Sequence, residues 1–462
     1  MNNAYTIHPA SYRDPAGFIF YHNNQLYRQV SQLFRTDFDL LMTSGAYDAF
    51  VKKEWLVAHE RLDQNLTGDP DWYTTLKPSL IPFISYPWEW SFGMLKDAAL
   101  LTLKLARQAL DFGLVLKDAS PFNIQWYKGK PVFIDTLSFA RYNPSEPWIA
   151  YRQFCETLLS PLLLMHYSQQ PLQALQLGFA NGVPLQVTSR LLPWRSRFNI
   201  PVYLHIHLHG KIAGRHPGTT DKSTSASFSK QKMINLLGNL ETLVEKLQLK
   251  SRQSTWLNYY DEAGTRDNYL ENKKVIIGDW LEELTEVHTV ADLGANEGGF
   301  SILAAKLGKQ VLAADLDPFC IDRLYHRIRA EKIGNLQPLV MDLAMPSPAA
   351  GADNLEYASF SNRCQTGLLL ALALIHHLCI GRNLAPATVA RFFSGLGEWL
   401  ILEYVPPEDE KVQLLLSQKT RSYPDYNEDV LLAAFAVYFD LEKKKPVGNS
   451  GRQLWLFRNK QV

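Results

Sequence analysis

The pattern of apolar and polar positions changes character about halfway along the chain. In the first part, Gly17–Val30 alternates on both sides of a two-asparagine turn, which predicts a β-hairpin. Residues 31–66 favour helix, whereas residues 67–93 are rich in proline, glycine and tryptophan and favour an ordered loop. Apolar residues then recur at three-to-four spacing from Met94 to Phe112, and Gly113 follows as a cap, so a long helix is predicted there.

The second part alternates buried strands with helices at the intervals of βαβ units. Four apolar runs predict strands at residues 289–293, 310–315, 336–342 and 398–405, and residues 364–378 predict a further strand, fourth in chain order, that runs into a turn. Two further runs, Phe435–Leu441 and Gly451–Phe457, are joined by a turn rich in proline, glycine, asparagine and serine. These two runs predict a β-hairpin after the last βαβ unit.

A polar segment at residues 210–230 separates the two parts. It is rich in serine, threonine and glycine and too poor in apolar residues to bury a face, so we interpret it as a flexible linker. This interpretation gives a first, α+β domain at residues 1–209 and a second, α/β domain at residues 231–462. Within the second domain, residues 231–287 are predicted to form a helical lead-in and residues 288–462 the core.

The composition adds few constraints. A chain of 462 residues with 46% hydrophobic and 20% charged residues has a globular composition and room for two domains. Its net charge of +1 gives no overall signal for nucleic acid, and no run is long and apolar enough to suggest a membrane segment. The cysteines lack C-x-x-C spacing and lie in apolar contexts, which favours reduced thiols in a cytoplasmic protein: Cys155, Cys320, Cys364 and Cys379. The oligomeric state is left open.

Three successive predicted strands end in an aspartate: Asp292, Asp315 and Asp342. The first is followed by Gly294 and Gly298 and then by a helix, whose free N–H groups can meet a polar ligand. The spacing differs from the dinucleotide fingerprint, because Asn296 stands where its second glycine belongs. Asp315 suits a ribose diol, since one carboxylate accepts hydrogen bonds from both hydroxyls. The pattern predicts a nucleotide-like ligand.

The acid-x-Gly-x-x-x-Gly loop with its two later acids resembles class I S-adenosylmethionine-dependent methyltransferases, over residues 265–460. The resemblance implies a Rossmann-like sheet of seven strands closed by an antiparallel hairpin, with S-adenosylmethionine as cofactor. It also implies that Asp315 holds the ribose and that Asp342 accepts a bond from the adenine amino group. Further cofactor contacts are implied at Asp292, Gly294, Asn296, Gly298, Leu316 and Met341.

Within that class, the segment Leu372-Ala-Leu-Ile-His-His-Leu378 and the sequence that follows Glu403 are similar to nodulation-associated methyltransferases. The resemblance implies an oxygen or nitrogen acceptor on a small molecule or glycan. His376 and His377 follow the fourth strand, where a general base for such an acceptor belongs. Glu403, at the end of the fifth strand, is a further candidate for this catalytic role.

A second resemblance lies in the first domain, over residues 85–165. Asp118 precedes Asn123 by five residues, and two strands joined by a Lys-Gly turn then lead to Asp135. This arrangement resembles the catalytic-loop hairpin of protein-kinase-like folds. The resemblance implies that Asp118 orients an acceptor hydroxyl, while Asn123 and Asp135 hold Mg²⁺ on ATP.

The first domain departs from the kinase pattern in two ways. It has no glycine-rich phosphate loop, and Thr136-Leu137 replace the usual Phe-Gly. Arg28 is the nearest basic residue to an ATP-binding lysine. Three hypotheses therefore remain: turn and cap residues without a nucleotide role, a degenerate kinase-like scaffold, or a working kinase.

The segment Leu204–His209 alternates histidine with apolar residues, so it is predicted to be a strand with three histidines on one face. Such a face can bind a metal ion, but a half-exposed strand with polar alternation is the commoner explanation. No metal site is therefore assigned.

The leading hypothesis is a methyltransferase with a kinase-like first domain, and a bifunctional kinase-methyltransferase is one form of it. The competing hypothesis is a non-catalytic, cofactor-binding scaffold or interaction protein. An NAD-dependent oxidoreductase is a third possibility, although the glycine spacing and the hairpin after the last βαβ unit count against it.

Overall fold

The computed structural model of the protein describes residues 5–213, 228–250 and 268–461. The chain divides into two compact units. The first comprises residues 1–250 and 351–357, and the second comprises residues 251–350 and 358–462. Most of the predicted linker at residues 210–230 lies outside the described residues.

The boundary between the units differs from the one that the sequence suggested at residue 231. The helix Lys230–Lys246 belongs to the first unit, where it packs on the helix Phe92–Ala109. Its apolar stripe is buried there, at Met233, Leu237, Leu240 and Val244. Polar contacts reinforce this packing, because Lys96 donates to the carbonyl oxygens of Glu245 and Leu247 at 2.8 and 2.9 Å.

An antiparallel sheet of five strands opens the first unit. Its strands are β1 (Thr6–Ile7), β2 (Gly17–His22), β3 (Gln25–Ser31), β4 (His59–Leu62) and β5 (Trp72–Pro78). Their order is β1-β2-β3-β5-β4. The predicted hairpin is confirmed as β2 and β3, with both turn asparagines at positive φ. The predictions of helix through residue 66 and of loop at 67–93 were wrong at β4 and β5, because cross-strand pairing with β3 buries Thr74, Thr75 and Leu76.

Two small ladders follow the long helix of the first unit. β6 (Leu114–Leu116) pairs with β9 (Phe139–Arg141), and β7 (Ile124–Tyr127) pairs with β8 (Lys130–Phe133). The long helix itself confirms the prediction for residues 94–112, and Gly113 caps it at φ 72°. The two ladders bring the ends of β6 and β8 together.

The α-helices in the described residues of the first unit, including the two introduced above, pack around these ladders and the sheet. They are α1 (Arg35–Thr43), α2 (Ala46–Lys52), α3 (Phe92–Ala109), α4 (Tyr151–Phe154), α5 (Ser160–Ser168), α6 (Leu175–Gly178), α7 (Leu185–Leu191), α8 (Ile200–Val202), α9 (His209–Ala213) and α10 (Lys230–Lys246). π-Helical turns at Cys155–Leu159 and Tyr203–Leu208 join α4 to α5 and α8 to α9.

The prediction of a histidine-bearing strand at Leu204–His209 was wrong, since this segment is helical. Asn199 caps the helix by accepting from Val202 N at 3.3 Å, and Pro201 is well placed in the first turn. The histidines have separate partners: His205 contacts Tyr151 and Asn239, and His207 contacts Ser189 and Ser196. No group of metal-binding side chains occurs among the described residues.

The second unit is built on a sheet of seven strands. They are β10 (Thr289–Leu293), β11 (Gln310–Asp315), β12 (Leu336–Val340), β13 (Thr366–Ala371), β14 (Gly397–Tyr404), β15 (Phe439–Pro446) and β16 (Gln453–Asn459). Their order is β12-β11-β10-β13-β14-β16-β15. The first five are parallel, and β16 lies antiparallel between β14 and β15. The parallel strands and the closing hairpin confirm the predicted order of elements. The predicted start of the hairpin at Phe435 was wrong, because Phe435 belongs to the helix Glu428–Ala436 and β15 begins at Phe439.

Helices pack against this sheet and bury its apolar side chains. They are α11 (Tyr269–Glu283), α12 (Gly299–Lys306), α13 (Pro318–Glu331), α14 (Phe360–Arg363), α15 (Pro386–Ser394), α16 (Glu410–Ser417) and α17 (Glu428–Ala436). α11 lies within the later part of the predicted lead-in at residues 231–287, whereas residues 251–267 lie outside the described residues. Trp280, Ile277 and Leu281 of α11 join the core formed by β10 and β13.

All four cysteines are free and buried, as the sequence predicted. None of the helices in the described ranges has both the length and the hydropathy needed to span a bilayer.

Candidate functional site

The strongest site lies where the parallel strands of the second unit end. Asp315, the last residue of β11, accepts from Asn296 N through Oδ2 at 2.7 Å and from Asp317 N through Oδ1 at 2.8 Å. Burial raises the pKa of this carboxyl, and the backbone N–H groups of Asp317, Asn296 and Leu316 oppose that rise. A carboxylate offers about four acceptor positions, so three backbone donors leave it able to accept from a ligand as well.

An exposed apolar side chain lies beside that carboxylate. Leu316 is 49% exposed, although it directly follows a buried strand. An apolar surface next to a carboxylate that can still accept hydrogen bonds can bind a nucleoside. The base of the nucleoside packs on the apolar surface, and the ribose hydroxyls donate to the carboxylate. The predicted ribose-binding position therefore has the chemistry it requires.

The glycine loop between β10 and α12 is shaped by packing. Gly294 and Gly298 have φ of 80° and 76°, a conformation that side chains disfavour. A Cβ on Gly298 would lie 2.4 Å from Leu324, and one on Gly294 would lie 3.2 Å from Leu374. The space beside Gly298 is thus filled by α13, so this glycine permits helix packing.

Asp292 is buried in β10, just before this loop. Ser301 donates to its Oδ2 at 2.5 Å, and burial raises the pKa of this carboxyl to about 6. Asn296 holds the loop in a left-handed turn at φ 52°, with its side-chain oxygen accepting from Glu297 N. A buried acid of this kind changes its charge within the physiological pH range.

Asp342 follows the strand β12. Its Oδ1 accepts from Ala344 N at 2.9 Å, and its Oδ2 forms an ion pair with Arg382 at 2.8 Å. Met341 is buried, and its backbone N donates to the carbonyl of Asp315 at 2.7 Å. Met341 therefore lies beside Asp315, and Asp342 is the next residue along the chain.

His376 and His377 lie just after β13. Their ring centroids are 4.0 Å apart. Burial lowers the pKa of His376 well below its ordinary value and lowers that of His377 to about 4, and the charge of Arg452 acts in the same direction. Nδ1 of His376 is buried and has no hydrogen-bond partner. An orphaned buried nitrogen is costly, so it indicates a place for a ligand group.

Glu403 is placed differently from what a catalytic base requires. Its side chain is completely buried and accepts from Tyr269 and, at 2.5 Å, from Lys273, while Arg452 lies 3.5 Å away. These cations hold the pKa of Glu403 below its ordinary value despite its burial. The carboxylate is therefore fixed as an anion inside an ion cluster.

Arg452 links that cluster to the start of α16. Its Nε and Nη2 form a bidentate pair with Asp409 at 2.9 and 3.1 Å, and its Nη1 donates to Tyr269 at 2.9 Å. The ammonium of Lys273 also lies 4.7 Å from the ring centroid of Phe300, in the helix that follows the glycine loop. We call Tyr269, Lys273, Glu403, Asp409 and Arg452 the buried ion cluster.

The sequence interpretation missed most of this cluster, although one signal was present. Lys273 lies on the stripe that includes Leu270, Ile277 and Trp280, so a lysine occupies the apolar face of an amphipathic helix. A lysine is seldom buried without a partner, so this position could have indicated a buried acid elsewhere.

Two of the three kinase-like residues of the first unit, Asn123 and Asp135, share Ser138 as a hydrogen-bond partner. Asp118 accepts at Oδ1 from Ser120 N at 2.9 Å and from Gln153 at 2.7 Å. Asn123 ends the turn before β7 and donates to Ser138 Oγ at 3.2 Å. Asp135 follows β8 closely, so all three residues lie around the two small ladders.

The Asp135 carboxylate is occupied by groups of its own unit. Arg28 Nη1 lies 2.5 Å from its Oδ1, which also accepts from Leu137 N at 3.1 Å, and Ser138 donates to its Oδ2 at 2.5 Å. A guanidinium thus stands where a divalent cation would bind. In this arrangement the residues do not fit Mg²⁺ on ATP.

The order of the seven strands, with an antiparallel hairpin closing a parallel sheet, gives the second unit the class I methyltransferase fold. The chain is 30% identical to the nodulation protein NoeA of Rhizobium meliloti (strain 1021) over 469 residues, which cover 98% of this chain and 96% of that protein. The chain therefore belongs to the NoeA family, and the predicted resemblance is confirmed. No protein-family profile matches it.

Solved structures with partial similarity include the bifunctional kinase-methyltransferase WbdD, the N-methyltransferase NodS of Bradyrhizobium japonicum WM9 and the magnesium protoporphyrin IX methyltransferase of Synechocystis PCC 6803. WbdD is 18% identical over 47% of this chain and 46% of its own, with a TM-score of 0.32. NodS is 11% identical over 42% and 90%, with a TM-score of 0.32, and the third is 13% identical over 46% and 90%, with a TM-score of 0.31. The family assignment does not depend on these scores.

Proposed function

We propose that the protein is an S-adenosylmethionine-dependent methyltransferase that acts on an oxygen or nitrogen of a small molecule or glycan. The observation that carries the proposal is Asp315, a carboxylate with spare acceptor capacity beside the exposed Leu316 at the end of a parallel strand. The residues around this position fit the cofactor that the fold implies.

Each cofactor-binding residue has a defined task in this proposal. Asp315 accepts from the two ribose hydroxyls, and Leu316 packs on the adenine ring. Asp342 accepts from the adenine amino group with the lone pairs that Arg382 and Ala344 leave free. Asp292 supplies negative charge to the loop when it is ionised. The bound cofactor supplies an electrophilic methyl group, so the protein has mainly to align the acceptor and exclude water.

His376 is the residue we assign to the acceptor. Its orphaned Nδ1 supports this role, because a hydroxyl or ammonium group of the acceptor would give it the missing hydrogen bond. Burial lowers the pKa of His376 and keeps the ring neutral at pH 7, so a ring nitrogen without a proton can accept a hydrogen bond from the acceptor and orient it. The ring of His377 packs against this ring at an interplanar angle of 40° and supports its orientation.

Glu403 is better assigned as a positioning residue than as a base. Its carboxylate is saturated by Tyr269, Lys273 and Arg452, and it ties α11 to the sheet end where the proposed cofactor site lies. Substitution of Glu403 should therefore weaken cofactor binding and stability together, whereas substitution of His376 should slow transfer and leave cofactor binding nearly unchanged.

Calorimetry separates this proposal from its alternatives. Micromolar binding of S-adenosylhomocysteine is expected, and binding of NAD in its place would overturn the proposal in favour of an oxidoreductase. Transfer of a labelled methyl group to glycan or amine acceptors, reduced at least about hundredfold in His376→Gln, distinguishes the enzyme from a cofactor-binding scaffold. A His376→Gln variant that transfers at the normal rate would remove that histidine from the mechanism.

For the first unit we propose a kinase-like scaffold that does not carry out phosphoryl transfer. The ion pair between Arg28 and Asp135 supports this choice over a bifunctional kinase-methyltransferase, because the carboxylate needed for the metal is already neutralised. The alternative, a working kinase, requires Arg28 to leave Asp135 when the nucleotide binds.

A further inference from the structure

One surface of the first unit combines large exposed apolar side chains with arginines. Trp194, Phe198 and Ile200 are 73%, 75% and 72% exposed, and Leu191 is exposed beside them. Arg195 and Arg197 alternate with these residues and are also exposed. We call Leu191, Trp194, Arg195, Arg197, Phe198 and Ile200 the basic apolar patch.

The apolar side chains of the patch are held outward by the fold. Trp194–Phe198 forms a single 3-10 helix, and only Ser196 points inward. Its hydroxyl is 2.8 Å from Nε2 of the buried His207 and donates to the carbonyl of Pro193 at 2.7 Å. The rings of Trp194 and Phe198 meet edge to face at 5.4 Å. The hydrogen bonds of Ser196 therefore fix the 3-10 helix with its apolar side chains on the surface. Turning these side chains inward would break those hydrogen bonds.

The surrounding sequence carries charge of a single sign. Between Glu156 and Asp221 there is no aspartate or glutamate, whereas five lysines and arginines occur: Arg190, Arg195, Arg197, Lys211 and Arg215. The net charge of the whole chain is only +1, so the rest of the chain is acidic on balance. The segment that exposes the apolar side chains is thus net positive because it lacks acidic residues.

We propose that the basic apolar patch docks the protein on an anionic lipid bilayer. Tryptophan, phenylalanine and aliphatic side chains enter the boundary between headgroups and acyl chains, while neighbouring arginines attract anionic headgroups. The aliphatic residues Leu191 and Ile200 favour lipid over nucleic acid, which offers stacking surfaces and phosphates but no apolar interior. Such an attachment is peripheral and needs no membrane-spanning helix.

Charge complementarity also favours a bilayer over a second copy of the chain. Two copies that met through this patch would bring their arginines together, and the described part of the patch offers no acidic residue to pair with them. A bilayer surface rich in anionic lipid neutralises all of these arginines at once.

The test is flotation of the full chain with vesicles. The wild type is expected to float with equimolar phosphatidylglycerol and phosphatidylcholine, to float weakly with phosphatidylcholine alone, and to lose binding at high salt. The double variants Trp194→Ser with Phe198→Ser, and Arg195→Gln with Arg197→Gln, should each bind the anionic vesicles roughly tenfold more weakly.

The matched control is Leu33→Ser with Ile149→Ser, which removes two side chains that are both 72% exposed elsewhere in the same unit. It should float like the wild type. Equal flotation of all variants, or no flotation of the wild type, would overturn the proposal. A wild-type oligomer that the patch variants convert to monomers would overturn it in favour of self-association, and unchanged melting temperatures exclude misfolding as the cause.

Discussion

Asp135 in the first unit and Asp315 in the second are both aspartates that come at the end of a strand, yet their surroundings differ. Asp315 accepts from three backbone N–H groups, which are uncharged, so its negative charge remains available to a ligand. Asp135 receives a guanidinium, a hydroxyl and a backbone N–H. The difference shows that the partners of a strand-end carboxylate, more than its position, determine whether it can serve a ligand.

The two units also differ in how they use ion pairs. In the second unit, Lys273 and Glu403 are 2% and 0% exposed, whereas Arg28 and Asp135 are each 15% exposed. A completely buried pair costs more to break, because the remaining charge cannot be hydrated. The stability of each unit should therefore respond differently when the cation is removed.

The largest effect is expected for Lys273→Met. It leaves Glu403 buried beside a single cation and should lower the free energy of unfolding of the second unit by about 3–5 kcal/mol. Arg28→Met should cost the first unit less, about 2 kcal/mol, since water can reach Asp135. Urea unfolding followed by tryptophan fluorescence measures both losses.

The control for this comparison is Lys443→Met. It breaks an exposed pair with Glu283 in the same unit, and its cost should stay below about 1 kcal/mol. If Lys273→Met costs no more than this control, the buried ion cluster does not contribute to stability in the way the comparison requires.

The next effect is on cofactor affinity. Asp315→Ala removes two charge-assisted hydrogen bonds to the ribose, so S-adenosylhomocysteine should bind roughly hundredfold more weakly by calorimetry. Asp440→Asn, which removes an exposed carboxylate from the same unit, should leave the affinity unchanged. Retained micromolar affinity in Asp315→Ala would show that the ribose lies elsewhere.

A smaller effect is expected from pH. The raised pKa of about 6 keeps Asp292 protonated below that pH and ionised above it. The cofactor carries a sulfonium and an ammonium charge, so its affinity should rise roughly tenfold between pH 5 and pH 7 as the acid ionises. The Asp292→Asn variant should lack this rise, and a wild type without it would mean that this carboxyl does not act on the cofactor.

Much of the second unit could be predicted from sequence, because its strands and turns are each indicated by a short continuous stretch of residues. The strands are continuous apolar runs, and Asp292, Asp315 and Asp342 each come at or just after the end of one. The closing hairpin follows from alternation and turn residues. The buried ion cluster could not be predicted from such stretches, because Tyr269, Lys273 and Arg452 contact Glu403 from segments that are distant in sequence.

The first unit shows where local patterns mislead. The alternating histidines after Tyr203 have the period of a strand, but the segment is helical. Asn199 and Pro201, just before it, are the residues that favour the start of a helix. β5 lies in a segment rich in turn residues and is stabilised by pairing with β3 and β4, which no local pattern reports. The assignment of Glu403 as a candidate base had the same weakness, because its partners are remote in sequence.

The smallest expected effect is a null result in the first unit. Mg-ATP at millimolar concentration should leave the melting temperature of the wild type unchanged within about 1 °C, since Arg28 already occupies the Asp135 carboxylate. Arg28→Met frees that carboxylate, so a shift that appears only in this variant would identify the guanidinium as the block. Arg35→Met, an exposed arginine of the same unit, serves as control. A clear shift in the wild type would mean that Arg28 moves aside for the nucleotide, and the contrast between Asp135 and Asp315 would then describe two ligand sites in one chain.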